Sequence, residues 1–250
     1  MNNRNLRDLG SQTARNGFRN EDTVVSKFND WQEDEDAKKW LRIMGYDLNE
    51  IEYVNAVKIS GEKTDIQVQI TIKLKDVIER ENLQVKLVSI KNGFNQVDKR
   101  WVNNYTDLWN IPSNVTELLK RFAGELSPNI PNPRDSRRMF VDEFSERDRN
   151  RLLQYFRDNK TLIVNDILKG RGSLSAEWML VAQKIANNAR WILKPMNIVV
   201  NYFGNGEVVV SPRGSIYIGR ITVQRKGGDA GRPTANMLQF KIDPTGLFQI

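Results

Sequence analysis

The chain has 250 residues, 38 Lys plus Arg against 31 Asp plus Glu for a formal charge of +7, and neither cysteine nor histidine. The two absences exclude disulfide frameworks, zinc fingers, Ser-His-Asp and Cys-His catalysis, histidine metal sites and a histidine general base. The length allows one large domain or two small ones with a sizeable core, the charge suits a polyanionic partner, and with no apolar run of about 18 residues and no apolar leader, neither a membrane span nor a signal peptide is expected.

In chain order, Ser11 to Asp30 turns from basic and polar to amphipathic, with Phe18, Val24, Val25 and Phe28 at roughly helical spacing. Glu21 lies on this helix. Glu33 to Asp36, ahead of Ala37-Lys38-Lys39, form the acidic first turn of a second helix, as the helix dipole favours. A short strand over Val54 to Ile59 ends at the Ser60-Gly61 turn.

Asp65 opens an alternating run with Ile66, Val68, Ile70 and Ile72 on one face, Lys73 to Asn82 holds a turn or short helix, and Leu83 to Ser89 forms the next strand. On that strand Gln84 and Lys86 point the same way, and Asp65 reaches the same face if the strands are neighbours. Phosphodiester hydrolysis needs charge neutralised at phosphorus and a water made nucleophilic, and a divalent metal on hard oxygen ligands supplies both. Asp65 and Gln84 are the candidate ligands, and Lys86 stabilises the developing charge or orients the attacking water. The bland alternative is a strand with polar residues on its solvent face.

Lys91 to Trp101 mixes amides, cations and Phe94 around a glycine turn. Asn95, Gln96 and Lys99 are types that read base edges, and Phe94 could wedge between base steps or anchor the loop in the core. Tyr105 to Phe122 reads as helix interrupted at Pro112, and the Pro- and Asn-rich stretch Ser127 to Arg138 is a place for a domain boundary, its Arg134, Arg137 and Arg138 meeting phosphates or solvent. Ser145 with Asp148 caps a helix running to Lys160. The Lys169-Gly170-Arg171-Gly172 loop lacks the ending of a nucleotide-binding P-loop. Ala176 to Leu193 reads as the longest amphipathic helix, with Trp178, Val181, Ile185 and Ala189 on one face and Pro195 as its stop. Strands follow at Glu207 to Ser211, Ser215 to Gln224 and Met237 to Ile242, the last two joined by a basic, glycine-rich loop from Arg225 to Pro233. Arg225, Lys226 and Arg232 are its candidate DNA contacts, with Asn236 and Gln239 behind them.

Gln84-Val85-Lys86-Leu87-Val88-Ser89, Gly93-Phe94-Asn95-Gln96-Val97-Asp98-Lys99 and Gln224-Arg225-Lys226-Gly227-Gly228-Asp229 together resemble the Type II restriction endonucleases of the PD-(D/E)XK superfamily that recognise GCGC. The likeness spans essentially the whole chain, departing where Thr64 replaces the usual proline and Gln84 the usual acidic residue, which removes a negative charge from the metal site. It implies an α/β fold with a central mixed sheet flanked by helices and a β-rich C-terminal part. It also implies one domain over residues 1–250, with a catalytic core of about 15–125 and a DNA-recognition part of about 139–250.

The activity so implied is Mg²⁺-dependent hydrolysis of double-stranded DNA at the palindrome GCGC, by a cytoplasmic prokaryotic enzyme. In the superfamily a glutamate on the N-terminal helix assists at the metal directly or through water, which makes Glu21 a further candidate beside the reading of a solvated face residue. Two-fold symmetry of the site fits a homodimer or a monomer cutting the strands in turn, and a cognate methyltransferase follows by analogy. A repair or recombination nuclease of the same superfamily, which would share Asp65, Gln84 and Lys86, and a non-catalytic nucleic-acid-binding protein, which would share the charge and loops, stay open.

Overall fold

The computed structural model describes residues 3–61, 63–72, 78–186, 188–228 and 231–250, with backbone alone at 3–11, 13, 14 and 72. It divides into two compact units, each assembled from separate stretches of sequence. One comprises Gly10–Asn95, Leu168–Val199 and Asp243–Ile250; the other comprises Met1–Leu9, Gln96–Ile167 and Val200–Ile242. The Pro-rich stretch at 127–138, a candidate boundary by composition, falls inside the second unit.

The first unit is built on a mixed sheet of strands β1 (Ile51–Lys58), β2 (Ile66–Ile72), β3 (Ile78–Val88), β5 (Trp178–Ile185) and β6 (Asn188–Pro195) in the order β1-β2-β3-β5-β6. Only β3 and β5 run parallel. The expected antiparallel pairing of the Asp65 and Gln84 strands is present, Ile66 opposite Leu83, although β3 starts at Ile78, earlier than its apolar pattern suggests. The turn expected from Lys73 lies outside the described residues over 73–77. Helices α1 (Asn3–Asn29) and α2 (Glu35–Ile43) bury Val24, Phe28, Trp40 and Leu41 against Ile66, Ile70, Leu83 and Leu180 of the sheet. Burying each such side chain contributes about 1.5–3 kcal/mol. Asp34 caps α2 by accepting from the Ala37 N–H. Phe18, expected on the apolar stripe, is 61% exposed, because it stands seven residues before Val25 and off the Val24–Phe28 line.

The helix expected over Ala176 to Leu193 is instead the β5–β6 hairpin. Strand β5 lies between β3 and β6, so Met179, Leu180, Val181 and Ala182 are all fully buried, on both faces. A strand covered on both sides reads as a continuous apolar run, which matches a helical period as easily as any other. The reversal passes through Ala186 at φ 50°. Pro195 ends a strand, and helix α7 (Met196–Gly204) follows at once.

The second sheet holds β4 (Asn95–Arg100), β7 (Val208–Val210), β8 (Ile216–Ile218), β9 (Ile221–Arg225) and β10 (Leu238–Ile242) in the order β4-β10-β9-β8-β7. The expected single strand Ser215 to Gln224 is two strands, reversed at Gly219, whose φ is +56° and where a Cβ would lie 2.6–2.7 Å from the carbonyls of Phe203, Gly204 and Asn205. Only glycine fits there. One face of this sheet, with Ile216, Ile218, Ile221, Val223, Leu238, Phe240 and Ile242, is fully buried. Helix α3 (Val102–Trp109) packs Tyr105 and Trp109 edge-on against Phe240, at 5.3 and 5.7 Å between ring centres. Helices α4 (Ser113–Ala123), α5 (Glu146–Asp158) and α6 (Lys160–Leu168) complete the elements, α6 arising from the apolar segment at 162–168.

Candidate active site

Asp65 immediately precedes β2, and its backbone N–H donates to the Leu83 carbonyl at 2.9 Å, which fixes it beside the middle of β3. Its Oδ2 accepts the Val85 N–H at 2.6 Å. That bond leaves Oδ1 available and holds the carboxylate in one orientation. Thr64, where the superfamily has proline, is fully buried and donates its hydroxyl to the Leu174 carbonyl at 2.6 Å, tying down the residue that precedes the carboxylate.

Two residues apart on β3, Gln84 and Lys86 share a face, as strand alternation requires. The Lys86 ammonium stands 3.8 Å from Asp65 Oδ2. Gln84 is 2% exposed, and its buried Oε1 has no hydrogen-bond partner among the described residues. A buried carbonyl oxygen left without a donor is rare and costly in a folded protein. The solvent-face alternative for this strand is thereby removed, since Gln84 does not face solvent.

Glu21 of α1 comes close enough to be affected by the same groups. Its carboxyl is pushed up to about 7, first by burial and next by the negative charge of Asp65, while Lys58 and Lys86 oppose the shift. Two carboxylates and an ammonium therefore come together, and Gln84 lies on the strand face that Lys86 shares. Oxygen donors with a partly buried, mutually repelling carboxylate pair suit a hard divalent cation, and an unpartnered amide oxygen such as Gln84 Oε1 is of the donor type such an ion takes. The set falls below three carboxylates; among the described residues no group of three or more acidic, Cys or His side chains could hold a metal.

This geometry can be set beside known proteins. A family model described as R.HinP1I restriction endonuclease matches residues 44–248, well over half of the chain, including Asp65, Gln84 and Lys86. The chain belongs to the R.HinP1I restriction endonuclease family. It is a Type II site-specific DNA endonuclease. Among solved structures, restriction endonuclease MspI in complex with its cognate DNA aligns with a TM-score of 0.66 at 16% identity, over 94% of this chain and 92% of that one. That likeness is one of fold, a mixed α/β architecture of the PD-(D/E)XK kind. No curated protein matches the chain significantly. Among the described residues no helix is long and apolar enough to cross a membrane.

For a DNA endonuclease the exposed residues flanking β3 matter next. Phe94 is 62% exposed and Ile90 60%, so Phe94 is not a core anchor. The segment carrying them is held from behind: Gln183 of β5, 4% exposed, donates to the carbonyls of Ile90 and Lys91 at 3.0 and 2.9 Å. Gln183 escapes the sequence reading because its segment reads as helix. Gln96 and Lys99, expected on a loop, are exposed positions of strand β4, and Asn95 begins that strand with its amide donating to the Gly93 carbonyl.

At the basic loop, Arg225 ends β9 and both its Nε and Nη2 donate to Asn236 Oδ1, at 3.2 and 2.7 Å. The Lys226 N–H donates to the Met237 carbonyl, and Arg232 is exposed. Gln239 is 3% exposed, its amide facing the carbonyls of Arg225 and Lys226 at 3.5 and 3.4 Å. In this arrangement Asn236 Oδ1 holds the arginine and the buried Gln239 amide faces the loop backbone. Asp229 of the loop lies outside the described residues.

Proposed function

We propose that the enzyme hydrolyses double-stranded DNA at the palindrome GCGC in a Mg²⁺-dependent reaction at Asp65, Gln84 and Lys86, with Glu21 assisting. The observation that carries the site is the buried, unpartnered Gln84 Oε1 on the strand that also presents Lys86 to Asp65. The tetranucleotide specificity rests on the resemblance of the three motifs quoted above; the family match supports a restriction endonuclease.

Asp65 and Gln84 would hold the cation, and when bound it supplies charge neutralisation at the phosphate and a more acidic water. The residues themselves do the following. The Val85 N–H keeps Asp65 Oδ2 engaged and so holds the carboxylate in one orientation, leaving Oδ1 for a ligand. Lys86, its side chain 13% exposed, sets its ammonium in a partly desolvated setting, where it stabilises a phosphorane or orients a water far better than in bulk solvent. Glu21, titrating near 7, can hold or release a proton at neutral pH.

Phe94 serves as a wedge between base steps, and Asn95, Gln96, Lys99, Arg225, Lys226 and Arg232 supply groove and backbone contacts. A homodimer, a cognate methyltransferase and a cytoplasmic prokaryotic setting belong to the same reading. The test is incubation with a plasmid of known sequence, with and without Mg²⁺, and sequencing of the fragment ends. Discrete Mg²⁺-dependent ends at GCGC support the reading; random nicks point to a repair-type nuclease, and intact plasmid to a binding protein.

A further inference from the structure

Away from the catalytic strand, three guanidiniums in the second unit gather around a single carboxylate. Asp135 accepts from Arg137 through both oxygens, at 2.8 and 3.0 Å, and its Oδ2 lies 3.8 Å from Arg138 Nε. Arg225 has no carboxylate partner among the described residues and is held by the neutral Asn236. The segments meet at Gly124, the C-cap of α4 at φ +90°, where a Cβ would stand 2.9 Å from the Arg137 carbonyl, 3.2 Å from Asn236 Oδ1 and 3.3 Å from Arg225 Nε. Arg134, the remaining arginine of this segment, is neutralised separately by Asp142 and Glu143.

Arg138 is the distinctive member. Its side chain is 16% exposed, its guanidinium lies 4.0 Å from the Phe140 ring centre, and its buried Nε has no hydrogen-bond acceptor among the described residues. Burial and the charges of Arg225, Arg137 and Arg134 all disfavour its protonated form. A buried guanidinium with an open donor, among cations that outnumber the local carboxylate, lacks an anion with several acceptor oxygens. Asp135 cannot supply it alone, being already engaged with Arg137.

We propose that Arg137 and Arg138, in the positive field that Arg225 extends, form a seat for a phosphate of the DNA backbone that acts independently of sequence. The inference rests on DNA being the substrate and not on GCGC or on the metal site, so metal-free binding measurements test it separately. Arg137, 67% exposed, can be changed without disturbing packing. Affinity of the full-length protein for a duplex containing GCGC and one lacking it is measured without divalent metal across a salt series, with thermal midpoints recorded for each variant.

Arg137→Gln should flatten the slope of log affinity against log salt by about 0.9 and weaken binding roughly eightfold at 0.1 M salt, equally on both duplexes. Asp135→Asn, which removes the competing negative charge, should tighten binding to both. Unchanged affinity and slope in both variants would overturn the proposal and leave an internal ion network. A loss confined to the GCGC duplex would equally overturn it, since that marks a base reader.

Discussion

Replacing Gln84 with Met separates the metal-ligand account from a structural one, because the two predict opposite changes in stability. The side chain is 2% exposed with its Oε1 unpartnered, and such an unsatisfied buried group costs about 1–3 kcal/mol. Methionine keeps the unbranched shape and similar volume and discards the stranded oxygen, so the metal-free variant should be more stable by about 1 kcal/mol, a midpoint rise of roughly 2–4 °C. The penalty is of the kind expected where a fold holds a ligand donor ready for its ion. Thermal melts in chelator measure this term. Added Mg²⁺ at ten times its dissociation constant should stabilise the wild type by about 1.4 kcal/mol and the variant by clearly less, and plasmid cleavage should be lost. A variant less stable than wild type in chelator, or one that cleaves normally, would refute the reasoning.

Asp65→Asn should keep the fold, since its amide oxygen can still accept the Val85 N–H, yet lose cleavage by several orders of magnitude while DNA binding measured by fluorescence anisotropy stays close to wild type. Glu21 gives a pH signature in the metal-free protein: because its folded carboxyl is raised to about 7, the native state binds more protons than the unfolded chain between about 4.5 and 7, and stability falls as pH rises through that window. Glu21→Gln should therefore raise the melting midpoint above pH 7 and leave it little changed at pH 4.5; equal effects at both pH values would exclude the raised carboxyl. Phe94→Ala removes an exposed ring and should leave the melting midpoint within about 1 °C, while weakening binding to cognate duplex severalfold and reducing its bend in a fluorescence-transfer assay.

The strand pair carrying Asp65, Gln84 and Lys86 was legible from sequence because strand alternation and one antiparallel pairing are local properties. The three residues sit within a short span of chain, and the Ile66–Leu83 register sets the start of one strand beside the middle of the other. What neighbours them was not legible. Strand β5 is buried on both faces, so Trp178 to Ile185 carries no period of two, and its Gln183, which anchors the Phe94 segment, was hidden inside an expected helix. Residue type alone could not separate readers from supports in the basic loop either. Arg225 ranked ahead of Asn236 by its charge, but no sequence signal showed that both its Nε and Nη2 would be tied to Asn236 Oδ1. Glu21 was placed on its helix correctly, but its electrostatic coupling to Asp65 and Lys86 depends on how α1 crosses the sheet, which no spacing within α1 encodes.

The central claim is that Asp65 and Gln84 together hold the divalent ion. Crystals grown with Mn²⁺ in place of Mg²⁺ and measured at the manganese absorption edge test it most directly. The account predicts an anomalous peak within about 2.4 Å of both an Asp65 carboxylate oxygen and Gln84 Oε1, with Lys86 beside it. A peak that contacts neither residue, or that persists unchanged in Gln84→Met, would contradict it.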